Sequence, residues 1–426
     1  MIKKLIILYI LIINISYALT ENENKMINAV KIGDIKTIQS MLSQNVNPNI
    51  KDERGFYLIH IAAENNQTNS IKTLKNSPYL DLNKLLDKNT KIIKSNETID
   101  ASYFSAMDIA AIYNNFETLK LLIDYGANIN FKMIEKPRSE FVASRYSNSK
   151  ILKAYLDKNI YLLMNSEDVI SIMKAAIFGD NVENINYLVR VLGIDVDTKD
   201  TNTMLHYASG VGAIESMKTL ISLGANVDNT NSYFQTSLHY ILDINANKKT
   251  ESVKILLENN ANINLQETNG NTPLHLALIN ASKSKDYSKV IDMLLAKNAN
   301  VNITNKNNET ALNIAVKNND YNNSIKLINK GSDLNHIDKY YSPLHMAIKN
   351  NNTELAKALI DNGANISLRD KNKNHTPLNI AIEVGNFDIC KLLVRNGAAV
   401  DNVSIELAKK SKNENIRNFF ESSRMN

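Results

Sequence analysis

Apolar positions along this chain follow two alternating patterns, and both predict helices. The first is a short string in which a hydroxyl residue opens, apolar residues follow and a small residue closes. Thr272-Pro273-Leu274-His275-Leu276-Ala277 is its fullest form. The threonine is placed as an N-cap, whose hydroxyl can accept an N–H of the first turn. Proline in the next position needs no donor and presets φ for the helix. The histidine falls in the first turn, where its ring can bridge backbone groups of neighbouring loops. The alanine is small and lets adjacent helices approach. The second pattern is a longer amphipathic helix, with a stripe such as Leu119, Leu122 and Ile123 on one face. Gly126, Gly224, Gly331, Gly363 and Gly397 follow it at the position where φ turns positive. Asn159, Asn260 and Asn298 occupy the same place, and asparagine tolerates that conformation best among side-chain-bearing residues.

Both patterns recur in fixed order. The first returns as Ser342-Pro343-Leu344-His345-Met346-Ala347, Thr376-Pro377-Leu378-Asn379-Ile380-Ala381 and Thr203-Met204-Leu205-His206-Tyr207-Ala208. It returns again as Thr236-Ser237-Leu238-His239 and Thr310-Ala311-Leu312-Asn313-Ile314-Ala315. The second returns as Leu220-Ile221-Ser222-Leu223-Gly224-Ala225-Asn226 and Leu359-Ile360-Asp361-Asn362-Gly363-Ala364-Asn365. Anchored on the leucine of the first string, the register runs Met26, Ile59, Met107, Phe141, Ile172, Leu205, Leu238, Leu274, Leu312, Leu344, Leu378 and Ile405.

These strings resemble the ankyrin repeat, whose period is about 33 residues, and the resemblance runs from about Lys25 to Phe420. It implies an all-α repeat (ankyrin) solenoid of helix-turn-helix pairs with β-hairpin or finger loops, about 12 repeats including end caps. One helix pair cannot bury its apolar face alone, so stability comes from nearest-neighbour stacking. Asn-rich stretches such as Asn300-Val301-Asn302-Ile303 suit the turns between repeats. Both ends look like caps. The first repeat lacks the Thr-Pro opening, and the last is lysine-rich and closes on Phe419-Phe420, which should pack inward.

The pattern breaks twice. The step from Ile59 to Met107 is about 15 residues longer than the period. This places an irregular insertion at 77–104, with Leu82, Leu85 and Leu86 as a candidate helical turn. The repeat at 131–165 has lost its Thr-Pro-Leu-His string and is expected to keep only a second helix over Ile151 to Lys158. Longer turns are expected between paired helices at Asn245 to Lys248 and Ser282 to Lys285.

The first residues read as an address. Two lysines, Lys3 and Lys4, precede an unbroken apolar run from Leu5 to Ile13, and Ser16-Tyr17-Ala18 offers small residues where a signal peptidase reads. Residues 1–18 are therefore expected to be a secretory signal peptide cleaved after Ala18. Residues 19–24 are then a short lead, 25–421 the array and 422–426 a tail. The alternative is an uncleaved membrane anchor, although the run is shorter than the roughly 20 residues a spanning helix needs. The expected compartment is periplasmic or secreted.

Composition narrows the chemistry. One cysteine excludes an internal disulfide framework and a zinc cluster with two or more cysteine ligands. The net charge of +5 falls to +3 without Lys3 and Lys4, and there is no basic block, so no nucleic-acid footprint is indicated. Five of the seven histidines, His60, His206, His239, His275 and His345, occupy the repeat slot, where a structural role is expected. His336 and His375 fall in loops. Asp195 to Asp200 lacks the spacing and glycine of a calcium loop. Cys390 lies inside an apolar helix and reads as a small buried hydrophobe. No catalytic, cofactor or metal site is expected, and no enzyme.

The expected function is capture of another protein by a monomer. The resemblance implies binding through finger loops and first helices, and the candidate contact residues are Glu53, Arg54, Phe56, Asp200, Tyr233, Phe234, Glu267, Asn269, Asn307, Tyr340, Tyr341, Arg369 and Lys373. The pairs Tyr233-Phe234 and Tyr340-Tyr341 stand out, because loops need no aromatics and interfaces favour them. Alternatives are a secreted effector acting on a host protein and, more remotely, the targeting arm of a toxin or enzyme.

Overall fold

The computed structural model describes residues 19–129, 139–158 and 165–422. The expected signal peptide, its cleavage site at Ala18 and Asn159 lie outside these residues. The chain divides between Thr198 and Lys199 into two compact units.

The first unit is a series of helix pairs. α1 (Glu21–Ile32) and α2 (Ile35–Ser43) precede α3 (Leu58–Glu64) and α4 (Thr68–Leu74). A hairpin of β1 (Lys91–Lys94) and β2 (Glu97–Asp100) follows, then α5 (Ala106–Ile112) and α6 (Phe116–Asp124). α7 (Ser139–Tyr146) pairs with α8 (Ser149–Lys158), and α9 (Ser166–Phe178) with α10 (Val182–Asn186), which continues as a π-helical turn over Tyr187–Val191.

The second unit repeats the pattern with less variation. Its pairs are α11 (Met204–Val211) with α12 (Ile214–Ser222), α13 (Ser237–Asp243) with α14 (Lys249–Glu258), and α15 (Pro273–Ile279) with α16 (Lys285–Ala296). They continue as α17 (Ala311–Lys317) with α18 (Tyr321–Asn329), and α19 (Pro343–Lys349) with α20 (Thr353–Asp361). α21 (Pro377–Val384) with α22 (Phe387–Arg395), and α23 (Asn402–Lys410) with α24 (Glu414–Ser422), complete it.

Every expected anchor lies in the first helix of a pair, and all except Phe141 and Ile405 are buried. The opening string is a reciprocal cap. Thr272 Oγ1 sits 2.8 Å from His275 Nδ1, and the Thr272 N–H also donates to that nitrogen at 3.2 Å. Nδ1 is thus the acceptor, so Nε2 carries the proton and donates to the Glu309 carbonyl of the next finger at 3.2 Å. His206 and His239 reach Gln235 O and Leu265 O in the same way, at 2.8 and 2.9 Å. Asp108, Asn313 and Asn379 fill this slot in other repeats. There, for instance, Asn313 Oδ1 accepts from Thr310 Oγ1 at 2.7 Å and from Thr310 N at 3.0 Å.

Asparagine also links neighbours at the ends of second helices. Asn300 N donates to Asn264 Oδ1, Asp333 N to Asn302 Oδ1, and Asn365 N to Asn335 Oδ1, all at 2.8–2.9 Å. These side chains are rungs between repeats as well as turn formers. Asn260 and Asn298 have φ of 62° and 60°, matching the glycines they replace.

Four expectations are corrected. The repeat at 131–165 retains a first helix: α7 is held by buried Val142 and Ala143 and by the small residues Ser139 and Ser144, so loss of the Thr-Pro-Leu-His string did not remove it. Its assigned anchor, Phe141, is only half-buried. The insertion forms no helical turn at Leu82 to Leu86. It folds as the β1–β2 hairpin, because Ser95 and Asn96 take positive φ (50° and 68°) in a two-residue turn and Ile92 and Ile99 pair face to face into the core. Residues 21–24, expected in a lead, belong to α1, where Thr20 and Glu23 form a capping box. At the far end, Phe420 is buried and Phe419 meets Phe387 edge-on at 5.7 Å, as expected.

Candidate functional site

The fingers are built from a polar residue at their base. In the second unit Asn231 Oδ1 accepts from Tyr233 N and Gln235 N, and Glu267 accepts from Asn269 N and Asn271 N. Asn305 Oδ1 accepts from Asn307 N and Glu309 N, and Asp338 and Asp370 do the same for Tyr340, Tyr341, Asn372 and Lys373. Asp52 serves the finger of the second repeat, accepting from Arg54 N and Phe56 N. Each base residue fixes a tight turn whose tip then projects.

Adjacent fingers are also joined through their backbones. Thr268 N donates to Tyr233 O at 3.3 Å, Lys306 N to Asn269 O at 2.9 Å, and Lys371 N to Tyr340 O at 2.9 Å. Gly270 shows how close this approach is. It has φ of 75°, and a Cβ there would lie 2.9 Å from Lys306 N.

The candidate residues separate into two groups. Phe56 and Glu267 are buried, contrary to expectation: Phe56 packs under its finger beneath the Arg54 guanidinium, 4.4 Å above its ring, and Glu267 is a finger base. Arg54 is pinned by Glu64 at 2.8 and 2.9 Å and by Asp52 at 2.9 Å, and the Glu64 bonds raise its pKa. Tyr341 OH accepts from Lys349 Nζ at 2.8 Å and Asn372 Nδ2 at 2.9 Å, so it too braces a finger. Arg369 joins Asn374 O and Asp401, and Asp200 accepts from Asn202 N and Tyr207 OH. Lys373 pairs with Glu383 at 3.0 Å. Glu53, Asn269 and Asn307 are exposed.

Tyr233, Phe234 and Tyr340 remain as large exposed rings, at 62%, 66% and 42%. Phe234 is unusual for a second reason. It occupies the finger slot held by Gly55, Gly270, Asn308 and Asn374, all with positive φ, and it adopts φ of 56° itself. A bulky residue is a genuine outlier there. Tyr103 stands in the same slot with φ of 61°, and Tyr340 also lies four residues before its anchor, without a positive φ.

The histidines of the repeat slot are buried, and burial lowers the pKa of His206 to about 4 and that of His239, His275 and His345 in the same direction. Burial pushes the Cys390 thiol up to about 12, so it is an inert packing group. Among the described residues no group of three or more histidine, cysteine or acidic side chains could hold a metal ion, and no helix is long and apolar enough to cross a membrane.

Comparison with known proteins follows the same pattern. A family model described as ankyrin repeats (3 copies) matches residues 26–133, 141–231, 238–338 and 312–404. An ankyrin repeat protein of Acanthamoeba polyphaga mimivirus is 28% identical over 275 residues, which is 61% of this chain and 33% of that protein. Phosphocholine transferase AnkX of Legionella pneumophila is 27% identical over 194 residues, covering 45% of this chain and 19% of that protein. An ankyrin repeat protein of Rickettsia bellii is 28% identical over 221 residues, 47% of this chain and 30% of that one. The chain thus spans about a third or less of the length of these relatives. Among solved structures, the ankyrin repeat domain of Bcl-3 aligns with 52% of this chain and 97% of its own, at 23% identity and a TM-score of 0.46. An ankyrin repeat domain from Acinetobacter baumannii aligns with 46% and 98%, at 27% identity and a TM-score of 0.42. With the repeat register, the capped helix pairs and the matched family model in agreement, the chain belongs to the ankyrin-repeat family.

Proposed function

We propose that this chain is an exported scaffold that captures another protein through its finger tips and first helices. The observation that carries the reading is Phe234. A phenylalanine held at φ of 56°, where four other fingers use glycine or asparagine, destabilises the fold by about 1 kcal/mol and buries little in return. Such strain persists where a binding surface benefits from it. Phe234→Gly is therefore expected to raise unfolding stability by about 1 kcal/mol while weakening partner capture. Loss of stability in that variant would mean the ring packs structurally.

The two tyrosines of the neighbouring aromatic pair are expected to part company. Tyr340→Ala should weaken capture with little change in melting temperature. Tyr341→Phe, which removes the hydroxyl that Lys349 and Asn372 hold, should lower stability by about 1 kcal/mol and leave capture intact. Thermal melts beside a pull-down of the partner separate the two; identical behaviour would contradict the assignment.

Export rests on the N-terminal pattern of residues 1–18, and it is supported by the position of the first cap. Thr20 begins α1 two residues beyond the expected cleavage after Ala18. Amino-terminal sequencing of the protein from the cell envelope and from the medium should return Leu19 as the first residue. An intact Met1 would favour the anchored alternative.

A second reading keeps the scaffold and makes it a secreted effector acting on a host protein. Its support is the likeness to proteins of Legionella pneumophila and Rickettsia bellii. Recovery from the medium rather than the envelope favours this reading. The matched part is 19% of the transferase, so the activity in its name is not carried over to this chain.

A further inference from the structure

The fingers of the second unit change in charge along the chain. The residue after each finger base is Ser232, Thr268, Lys306, Lys339 and Lys371 in succession. Fingers 305–309, 338–341 and 370–375, with the ends of α17, α19 and α21 that they bond to, carry six lysines and four carboxylates. That leaves two positive charges. The two preceding fingers, with the ends of α13 and α15, carry Glu267 and Asp243 and no lysine or arginine.

Internal pairing does not use up the positive charge. Lys317 meets Glu309 of its own finger at 2.7 Å, and Lys373 meets Glu383 at 3.0 Å. Lys349 stands where Lys317 does, five residues after the anchor, but Tyr341 takes the place of the glutamate. Its ammonium donates to the Tyr341 hydroxyl at 2.8 Å and forms no ion pair among the described residues. Lys306, Lys339 and Lys371 are exposed and form none either. Asp338 and Asp370 are buried finger bases whose carboxylates already accept finger N–H groups. Four exposed ammonium groups therefore share one stretch of surface.

Their spacing is set by the stack. α17, α19 and α21 pack in succession, and packed helices lie about 8–10 Å apart. An extended chain advances about 3.3 Å per residue, so every third residue of such a chain meets one finger. Between the second and third of these fingers is a hollow of about 160 Å³ lined by Tyr341, Lys349, Asn372, Lys373, Ile380 and Val384. Asp370 and Glu383 also reach it, each held by the bonds already described. Lys349 is the cation in this hollow without a carboxylate partner.

We infer that the captured protein presents an acidic, extended segment to this face. Its carboxylates fall at every third residue, one to each of the lysine-bearing fingers, and one of them enters the hollow and pairs with Lys349. The inference rests on the reading of the chain as a protein-binding module and deepens it by giving the charge and conformation of what is bound. The rings at 233–234 belong to the lysine-free fingers and contact a different part of the same partner.

The test uses the full chain and a rhodamine-labelled, end-blocked nonapeptide of serine, threonine and valine with glutamate in second, fifth and eighth place. Fluorescence anisotropy is expected to show saturable binding. Glutamine in place of the three glutamates should abolish it. Lys349→Gln should weaken it about threefold, and Lys306→Gln, Lys339→Gln and Lys371→Gln together more than tenfold. The same three charges removed from second helices, by Lys289→Gln, Lys330→Gln and Lys357→Gln, should leave it unchanged, as should Phe234→Gly. Equal losses from the finger and second-helix triples, or no binding up to about 1 mM, overturn the inference. So does displacement of the peptide by phosphatidylserine vesicles or an oligothymidylate at equal charge, which would make the face a general anion surface. Failure of the peptide with capture through Phe234 intact removes the acidic segment alone; loss of both removes the binding module.

Discussion

Acidification from pH 7 to pH 4.5 is expected to destabilise the protein, beginning above the range in which ordinary carboxylates titrate. His206 is buried, with its Nδ1 occupied by Thr203 Oγ1 at 2.7 Å and its Nε2 by Gln235 O at 2.8 Å. Burial, the largest influence, holds its pKa at about 4, and Lys199 and His239 push the same way. In the unfolded chain a histidine has a pKa near 6.5. Between these values the unfolded state binds the extra proton, so stability rises with pH through that window and is lost as pH falls. The full loss from His206 is about 3 kcal/mol, complete only below pH 4.

His239, His275 and His345 are lowered for the same leading reason, with Glu267, Glu309 and Asp370 opposing the shift in turn. Protonation at Nδ1 would also strip each helix cap of its acceptor. Denaturant midpoints measured from pH 7 to 4.5 should therefore fall steeply. His206→Asn supplies the control, because Asn313 and Asn379 already fill that slot without titrating. Its pH slope should be shallower, and an unchanged slope would remove the histidines from the explanation.

Asn305→Ala is expected to cost about 3 kcal/mol, far more than its place in a loop suggests. Its side chain is buried and makes four bonds within 2.9–3.1 Å. It accepts from Asn307 N and Glu309 N and donates to Asn271 Oδ1 and Glu309 Oε2. Alanine leaves two finger N–H groups and a carboxylate short of partners, and unmade bonds of buried groups cost more than made ones contribute. Asn307→Ala, two residues away at the exposed tip, should stay within about 0.5 kcal/mol of wild type and act on binding alone. Equilibrium unfolding of the pair decides it: equal losses would mean the finger is not organised from its base.

The helical framework was legible because its chemistry repeats. A cap hydroxyl, a leucine, a first-turn histidine and a small residue recur at fixed spacing, and stacking requires each of them. The missed helix α7 lacks that string but keeps small and branched residues where the neighbours approach, a weaker signal spread over Ser139, Val142, Ala143 and Ser144. Leu82, Leu85 and Leu86 carry a helical spacing that masks the hairpin in the sequence. Its own signal was the pair of isoleucines flanking Ser95-Asn96.

Two of the candidate contact residues, Phe56 and Glu267, read as exposed and are buried. A polar or charged residue in a loop reads as exposed, yet fingers are held by buried polar bases. Asp52, Asn231, Glu267 and Asn305 each stand seven positions before an anchor, so the period that located the helices could also have located them. Phe56 reads as a tip residue from sequence, but the turn ends one residue earlier, at Gly55. Tyr233, Phe234 and Tyr340 were legible because nothing in a finger asks for an aromatic ring.

The most direct measurement places a photo-crosslinking phenylalanine analogue at Phe234 and, separately, at Glu258 near the end of a second helix. Irradiation in cells expressing the full chain should give one discrete crosslinked protein from position 234, diminished by Tyr340→Ala, and none from position 258. The same products from both positions, or none from the finger, would contradict a scaffold that works through its finger tips.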